Sequence, residues 1–269
     1  MTDRYAVIGN PVAHSKSPGI HAHFAHATGE DIEYGRLLAP LDGFRETVQR
    51  FHAEGGRGLN VTLPFKEEAY RLATAHSARA RAAEAVNTLR FDADAIFGDN
   101  TDGAGRGRDI RINLGIAVAG RRVLLLGAGG AARGVIVPLL AEQPRDLTIA
   151  NRTLERARIL EQQFGPGVRA SSYEALSGSR FDIVINATSA SLTGALPPLP
   201  ERVYAEGSLA YDMMYGSAIT PFLQRARVEG AAHIADGLGM LVEQAAESFF
   251  IWRGVRPETG AVLAALRTA

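Results

Sequence analysis

Short apolar runs recur along the chain, each closed by glycine or a polar turn and followed by a segment with apolar residues three and four positions apart. "YAVIG" at 5–9 predicts a buried strand closed by glycine, and "SPGIHAHFAHATG" at 17–29 a helix with proline near its start and glycine at its end. "IEYGRLLA" predicts a second strand, followed by a helix beginning near Asp42; "GLNVTL" and "AVNTLRF" predict a third and a fourth, with helical patterns between them. Strands that alternate with helices imply a mostly parallel sheet covered on both faces.

Near residue 103 the alternation begins again. "RRVLLLGAGGAARGVIVPLL" reads as strand, glycine-rich turn and helix; "DLTIANR" is the next strand and "TLERARILEQQFG" its helix. "FDIVINATS" (181–189) and "GSLAYDMMY" follow as further strands, which is the alternation of a doubly wound dinucleotide fold. The last pattern, "LGMLVEQAAESFFIWRG", predicts a strongly amphipathic helix that packs back on the first unit, since both units need a covered face. The fold class expected is therefore α/β in two domains. Residues 1–103 with a C-terminal helical segment 239–269 form one, residues 104–238 form a Rossmann-like second, and two domains imply a cleft.

The length of 269 residues suits two modest domains. Twenty-nine basic residues balance twenty-nine acidic ones, so no global field attracts nucleic acid or an anionic membrane, and small molecules are the expected partners. No run approaches the ~20 apolar residues of a membrane span, and "MTDRYAVIGNP" lacks the apolar core of a signal peptide, so a cytoplasmic enzyme is expected. The absence of cysteine removes thiol catalysis and thiolate metal sites.

In "LLLGAGGAARG" the loop of Gly127, Ala128, Gly129, Gly130 and Ala131 sits where strand must become helix. Unpaired backbone N–H groups and the helix dipole attract phosphate there, and side chains would hold a pyrophosphate away. Ala132 takes the third glycine position, a substitution that the dinucleotide fingerprint tolerates. The next strand ends in Asn151, Arg152 and Thr153, with Arg156 a turn further on, where an NAD-binding chain usually presents an acidic residue. Guanidinium groups suit a 2′-phosphate, so NADP is the expected cofactor. Asn60, Thr62 and Lys66 cluster in "LNVTLPFKEEA", which reads either as a surface lysine at a helix start or as converging hydroxyl, amide and ammonium groups.

The segments "HSKSP", "NVTLPFK", "AVNT" and "GDNTDG", followed by the NADP loop, "YDMMYGSAITPFLQRARVEGA" and "DGLGMLVEQAAESFFIWRG", resemble in this order the shikimate dehydrogenase family over nearly the whole chain. The resemblance implies a substrate domain followed by an NADP domain and reversible NADPH-dependent reduction of 3-dehydroshikimate to shikimate, a step in making aromatic amino acids. It implies Lys66 and Asp102 as the catalytic pair. Ser15 and Ser17 would bind the substrate carboxylate, while Asn60, Thr62, Asn87, Tyr215 and Gln244 would line the pocket. It places Ala187, Thr188, Met213, Gly237 and Met240 near the nicotinamide. Glu84 precedes "AVNT" where many relatives carry glycine, which leaves the local turn open.

An amine with a reference pKa near ~10.4 is a poor base at neutral pH, so Lys66 needs tuning by neighbours. Which of Lys66 and Asp102 makes the net proton transfer is not fixed by sequence. Two other readings share these residues: a broader quinate/shikimate dehydrogenase, and a non-catalytic NADP-binding sensor, against which the retention of both Lys66 and Asp102 argues. His21, His23 and His26 are expected on exposed helix surface and no metal is expected, since no cysteine or spaced carboxylate completes a site. Oligomeric state is open, with a homodimer as one option.

Overall fold

The structure, a computed structural model, describes residues 2–93, 95–188, 195–216 and 218–268. Two compact units divide the chain: Met1–Gly105 with Leu241–Ala269, and Arg106–Met240.

The first unit is built on a six-stranded sheet. Its strands are β1 (Asp3–Gly9), β2 (Ile32–Leu38), β3 (Gly56–Val61), β4 (Ala75–His76), β5 (Thr88–Phe91) and β6 (Ile96–Asp99), in the order β2-β1-β3-β5-β6-β4. β5 runs antiparallel to both β3 and β6, so the sheet is mixed rather than mostly parallel. The expected strand 85–91 shrinks to its last four residues, which leaves Asn87 in the turn before β5. β6 was not read from the sequence, because its short run merges into "GDNTDG" and the turn before it carries no glycine.

One core cluster joins Ala6, Ile8, Leu59 and Val61 of the sheet to Phe44, Val48 and Phe51 of α2 (Phe44–Ala53). The other packs Ile20 and Phe24 of α1 (Ser17–Thr28) against Val242, Ala246 and Phe249 of α9 (Leu238–Arg253) and Val262 of α10 (Gly260–Thr268). The final helical pattern lacks the strong amphipathicity expected of it: of α9, Phe250 alone is exposed. Its polar residues are consumed by inward partners, such as Thr259, whose hydroxyl donates to Glu243 at 2.6 Å.

The second unit has strands β7 (Arg122–Leu126), β8 (Asp146–Ala150), β9 (Val168–Ser171), β10 (Phe181–Asn186), β11 (Tyr204–Asp212) and β12 (His233–Ala235). All pair in parallel in the order β12-β11-β10-β7-β8-β9, the doubly wound arrangement. Val123 and Leu125 of β7 enter one core cluster and Leu124 and Leu126 the other. A continuous apolar run is what a strand buried on both faces requires. β10 ends at Asn186, and Ser189, the last residue of the expected strand 181–189, lies outside the described residues.

His21 departs from expectation. It is fully buried on α1, stacked on Tyr34 with centroids 4.2 Å apart and flanked by Phe24, Phe249 and Trp252. Burial pushes its pKa down from 6.5 to about 3, which the nearby Asn60 only partly offsets. The imidazole stays neutral in the fold, whereas the unfolded chain takes up a proton as pH falls below 6.5. Stability contributed by this site is therefore full above that pH and lost toward pH 3 by up to about 1.4 kcal/mol per unit. Urea unfolding of His21→Phe between about pH 6.5 and 4 should show a shallower loss than the unsubstituted chain; parallel slopes would refute the buried neutral assignment.

Candidate active site

Lys66 opens α3 (Lys66–Leu72), and its main chain is fixed on both sides. Phe65 before it is buried and stacked on Phe44 at 4.9 Å, and the Val86 N–H donates to the Lys66 carbonyl at 2.9 Å. Asp102 opens α5 (Asp102–Arg108). Two residues earlier, Asn100 donates to the Ala85 carbonyl and accepts the Asp102 N–H, while Asp99 takes a two-pronged contact from Arg79 at 2.7 Å on each oxygen. These anchors bring the Lys66 ammonium to 2.6 Å from Asp102 Oδ2, with both side chains partly exposed. A cation at a helix N-terminus opposes the dipole, and the carboxylate offsets that cost.

Asn87 completes the pair. Its Oδ1 accepts the Thr101 main-chain N–H at 2.8 Å, and because that group can only donate, the amide orientation is fixed. The amino group therefore faces Asp102 Oδ1 at 2.8 Å and the Gln244 Oε1 at 3.2 Å. α9 is held close enough for this by Gly105, where a Cβ would lie 2.6 Å from the Gln244 nitrogen. Asp102 thus receives an ammonium on one oxygen and an amide on the other.

Of the other residues expected around the substrate, the first unit carries Ser15, Ser17, Asn60 and Thr62. Ser15 Oγ accepts the Ser17 N–H at 3.3 Å in the turn before α1, and Arg36 donates to the Ser15 carbonyl at 2.7 Å. Thr62 is partly buried just beyond β3, where its N–H donates to the Ile8 carbonyl. Tyr215 belongs to the second unit and is exposed. Sequence reasoning missed three buried hydroxyls behind the amides. Thr88 and Thr101 both reach Asn87 Oδ1, and Ser248 lies 2.8 Å from Thr88 and 2.9 Å from Asn60 Nδ2. The signal was present as the threonines that directly follow Asn87 and Asn100 and as Ser248 one turn after Gln244 on α9.

In the second unit, β7 ends at Gly127, whose φ of +103° only glycine adopts without strain and whose N–H donates to the Ala150 carbonyl. Gly129 and Gly130 lead into α6 (Gly130–Ala141), and a Cβ at either would meet nothing within 4 Å. Protein packing does not demand those glycines, and the open helix N-terminus they form leaves room for a pyrophosphate. Asn151, Arg152, Thr153 and Arg156 stand where β8 passes into α7 (Leu154–Phe164), with Asn151 donating to the Thr153 carbonyl at 2.8 Å and no side chain capping the helix. Arg152 and Arg156 are exposed, and neither forms an ion pair among the described residues, unlike Arg158 with Glu155. The residues present fit a phosphorylated dinucleotide.

The carboxyl ends of β7, β10 and β11 gather the remaining expected residues. The Ala187 N–H donates to the Leu126 carbonyl, Thr188 donates its hydroxyl to Asn186 Oδ1 at 2.7 Å, and Met213 N–H donates to the Asn186 carbonyl. Gly237 approaches so closely that a Cβ would lie 2.3 Å from the Met213 oxygen. Met240 follows on the first turn of α9, where Asp109, which accepts the Tyr211 hydroxyl at 2.7 Å, leaves no room for a Cβ at Gly239. No group of His, Cys, Asp and Glu among the described residues could hold a metal.

Family models match three stretches of the chain: the shikimate dehydrogenase substrate binding domain over residues 7–89, the shikimate / quinate 5-dehydrogenase over 111–194, and the shikimate 5′-dehydrogenase C-terminal domain over 237–267. The shikimate dehydrogenase (NADP(+)) of Nitrosospira multiformis is 62% identical, covering 100% of this chain and 98% of the relative. The chain belongs to the shikimate dehydrogenase family. Another family member, the shikimate dehydrogenase (NADP(+)) of Dechloromonas aromatica, is 61% identical over 99% of this chain and 98% of its own. Among solved structures, the family fold recurs in an Ael1 enzyme from Pseudomonas putida, at 52% identity and a TM-score of 0.95 over 98% of each chain. It recurs again in the Thermus thermophilus shikimate 5-dehydrogenase in complex with NADP(H) and shikimate, at 33% identity and a TM-score of 0.89 over 99% of each chain.

Proposed function

We propose that this chain catalyses the reversible NADPH-dependent reduction of 3-dehydroshikimate to shikimate, with the first unit binding the ring and the second the cofactor. The observation that carries the reading is the Lys66–Asp102 pair at 2.6 Å, held by Asn87 within a cluster of hydroxyls and amides suited to a polyhydroxylated ring. Relatives named NADP(+) shikimate dehydrogenases at 62% and 61% identity support it.

The bound cofactor supplies or accepts the hydride; the residues of this chain orient the carbonyl and manage one proton. In reduction Lys66 gives a proton from Nζ to the forming alkoxide oxygen, and in oxidation it takes that proton back. Asp102 holds the ammonium in place through Oδ2 while Asn87 fixes its Oδ1, so the lysine can point at one atom. Ser15 and Ser17 offer hydroxyl donors to the substrate carboxylate. Asn60, Thr62 and Gln244 meet the ring hydroxyls and carboxylate. In the second unit, the Gly127–Ala131 loop cradles the pyrophosphate and Arg152 and Arg156 face the 2′-phosphate. Ala187, Thr188, Met213, Gly237 and Met240 surround the nicotinamide. Among the described residues no helix is long and apolar enough to cross a membrane.

Initial rates with shikimate and with quinate, each paired with NADP and with NAD, test the assignment. Shikimate with NADP should give the highest kcat/KM of the four combinations. Faster turnover of quinate, or equal use of the two cofactors, would contradict it.

A further inference from the structure

Asn60 sits at the end of β3 with its amide almost entirely committed. The amino group faces the Asn87 main-chain carbonyl at 3.3 Å, Thr88 Oγ1 at 3.2 Å and Ser248 Oγ at 2.9 Å. A carbonyl oxygen can only accept, so this side of the amide must be nitrogen. Oδ1 then lies on the other side, 2.7 Å from the Tyr34 hydroxyl, and a carbonyl oxygen there obliges Tyr34 to donate. Two amino hydrogens shared among three acceptors leave none over. With its amino hydrogens engaged, Asn60 meets a substrate hydroxyl through Oδ1, as an acceptor.

Tyr34 itself is held rigidly. Its ring stacks on His21 at 8° between planes, with Trp252 tilted against it at 6.2 Å. Burial raises the phenol pKa well above its usual value, keeping the proton that Asn60 needs, and a hydrogen bond from Ser17 acts in the opposite direction.

We infer that Tyr34 is a positioning residue for the substrate: its hydroxyl fixes the Asn60 amide from the Oδ1 side as Ser248 fixes it from the nitrogen side. The inference rests on the proposed shikimate-oxidising activity. Tyr34→Phe removes the donor and keeps the ring stack. It should raise the KM for shikimate roughly three- to ten-fold, the worth of one neutral hydrogen bond, while KM for NADP stays within about two-fold. A purely structural role would move both KM values together.

The decisive experiment is a cycle of Tyr34→Phe, Asn60→Ala and the double variant, with the unsubstituted protein assayed first. In the Asn60→Ala background Tyr34→Phe should add almost nothing, because its target is gone. An undiminished effect in that background, or no effect in the native one, overturns the inference. Should Asn60→Ala fail to fold, Ser248→Ala replaces it and should produce the same selective rise in shikimate KM; an unchanged KM is then the contrary result. If the unsubstituted protein does not oxidise shikimate, the activity assignment fails. A normal unsubstituted enzyme with a normal Tyr34→Phe removes only the role of Tyr34.

Discussion

Lys66→Ala should lower kcat for shikimate oxidation ~10²–10⁴-fold, the span usual for loss of general acid–base help, with a much smaller change in KM. The expectation follows from geometry. The Lys66 ammonium is 2.6 Å from Asp102 at the start of α3, and no other lysine or histidine makes a hydrogen bond to Asp102 among the described residues. Removing it leaves the carboxylate with the Asn87 amide and erases the proton carrier. Because the Lys66 side chain is 28% exposed, its loss opens no core cavity, and the thermal midpoint should scarcely change. A variant that retained near-normal kcat would return Lys66 to the status of a surface lysine at a helix start.

Arg152→Ala should raise KM for NADP roughly ten- to a hundred-fold and barely alter it for NAD, since hydrogen bonds to charged groups contribute about 1.5–3 kcal/mol each. Arg152 lies exposed between β8 and α7, next to a helix start that no side chain caps. A 2′-phosphate there would meet both a guanidinium and unpaired N–H groups. Added salt should weaken NADP binding more than NAD binding, because only the former depends on the extra charge. An unchanged preference between NADP and NAD in Arg152→Ala, at low salt, would leave these arginines as ordinary solvated side chains.

The parts of the fold with strong local signals were legible. β7, the loop at Gly127 and α6 follow from an apolar run, a residue that needs positive φ and a helical pattern, and the parallel order of the second sheet follows from the alternation around them. In the first unit the hairpin of β5 and β6 was hidden, because strands of four residues carry little periodicity. Glu84, which left its turn open in the sequence, caps the helix of residues 78–83 at φ +50°, the left-handed region that explains a glycine in relatives. His21 was misplaced on the surface, although Ser17, Ile20, His21 and Phe24 share one helical stripe and all are buried. Motif resemblance supplied Lys66, Asp102 and the amides. It was silent on Tyr34, Thr88, Thr101 and Ser248, since a residue that acts through another leaves no ligand signature in sequence.

Hydride transfer can be followed directly with shikimate deuterated at C3, the carbon that bears the hydroxyl to be oxidised, incubated with NADP and the intact protein. The account predicts one deuterium in the reduced cofactor for each 3-dehydroshikimate formed, and near-complete loss of that transfer in Lys66→Ala. Formation of 3-dehydroshikimate without deuterium in the cofactor, or no oxidation of shikimate at all, would contradict it.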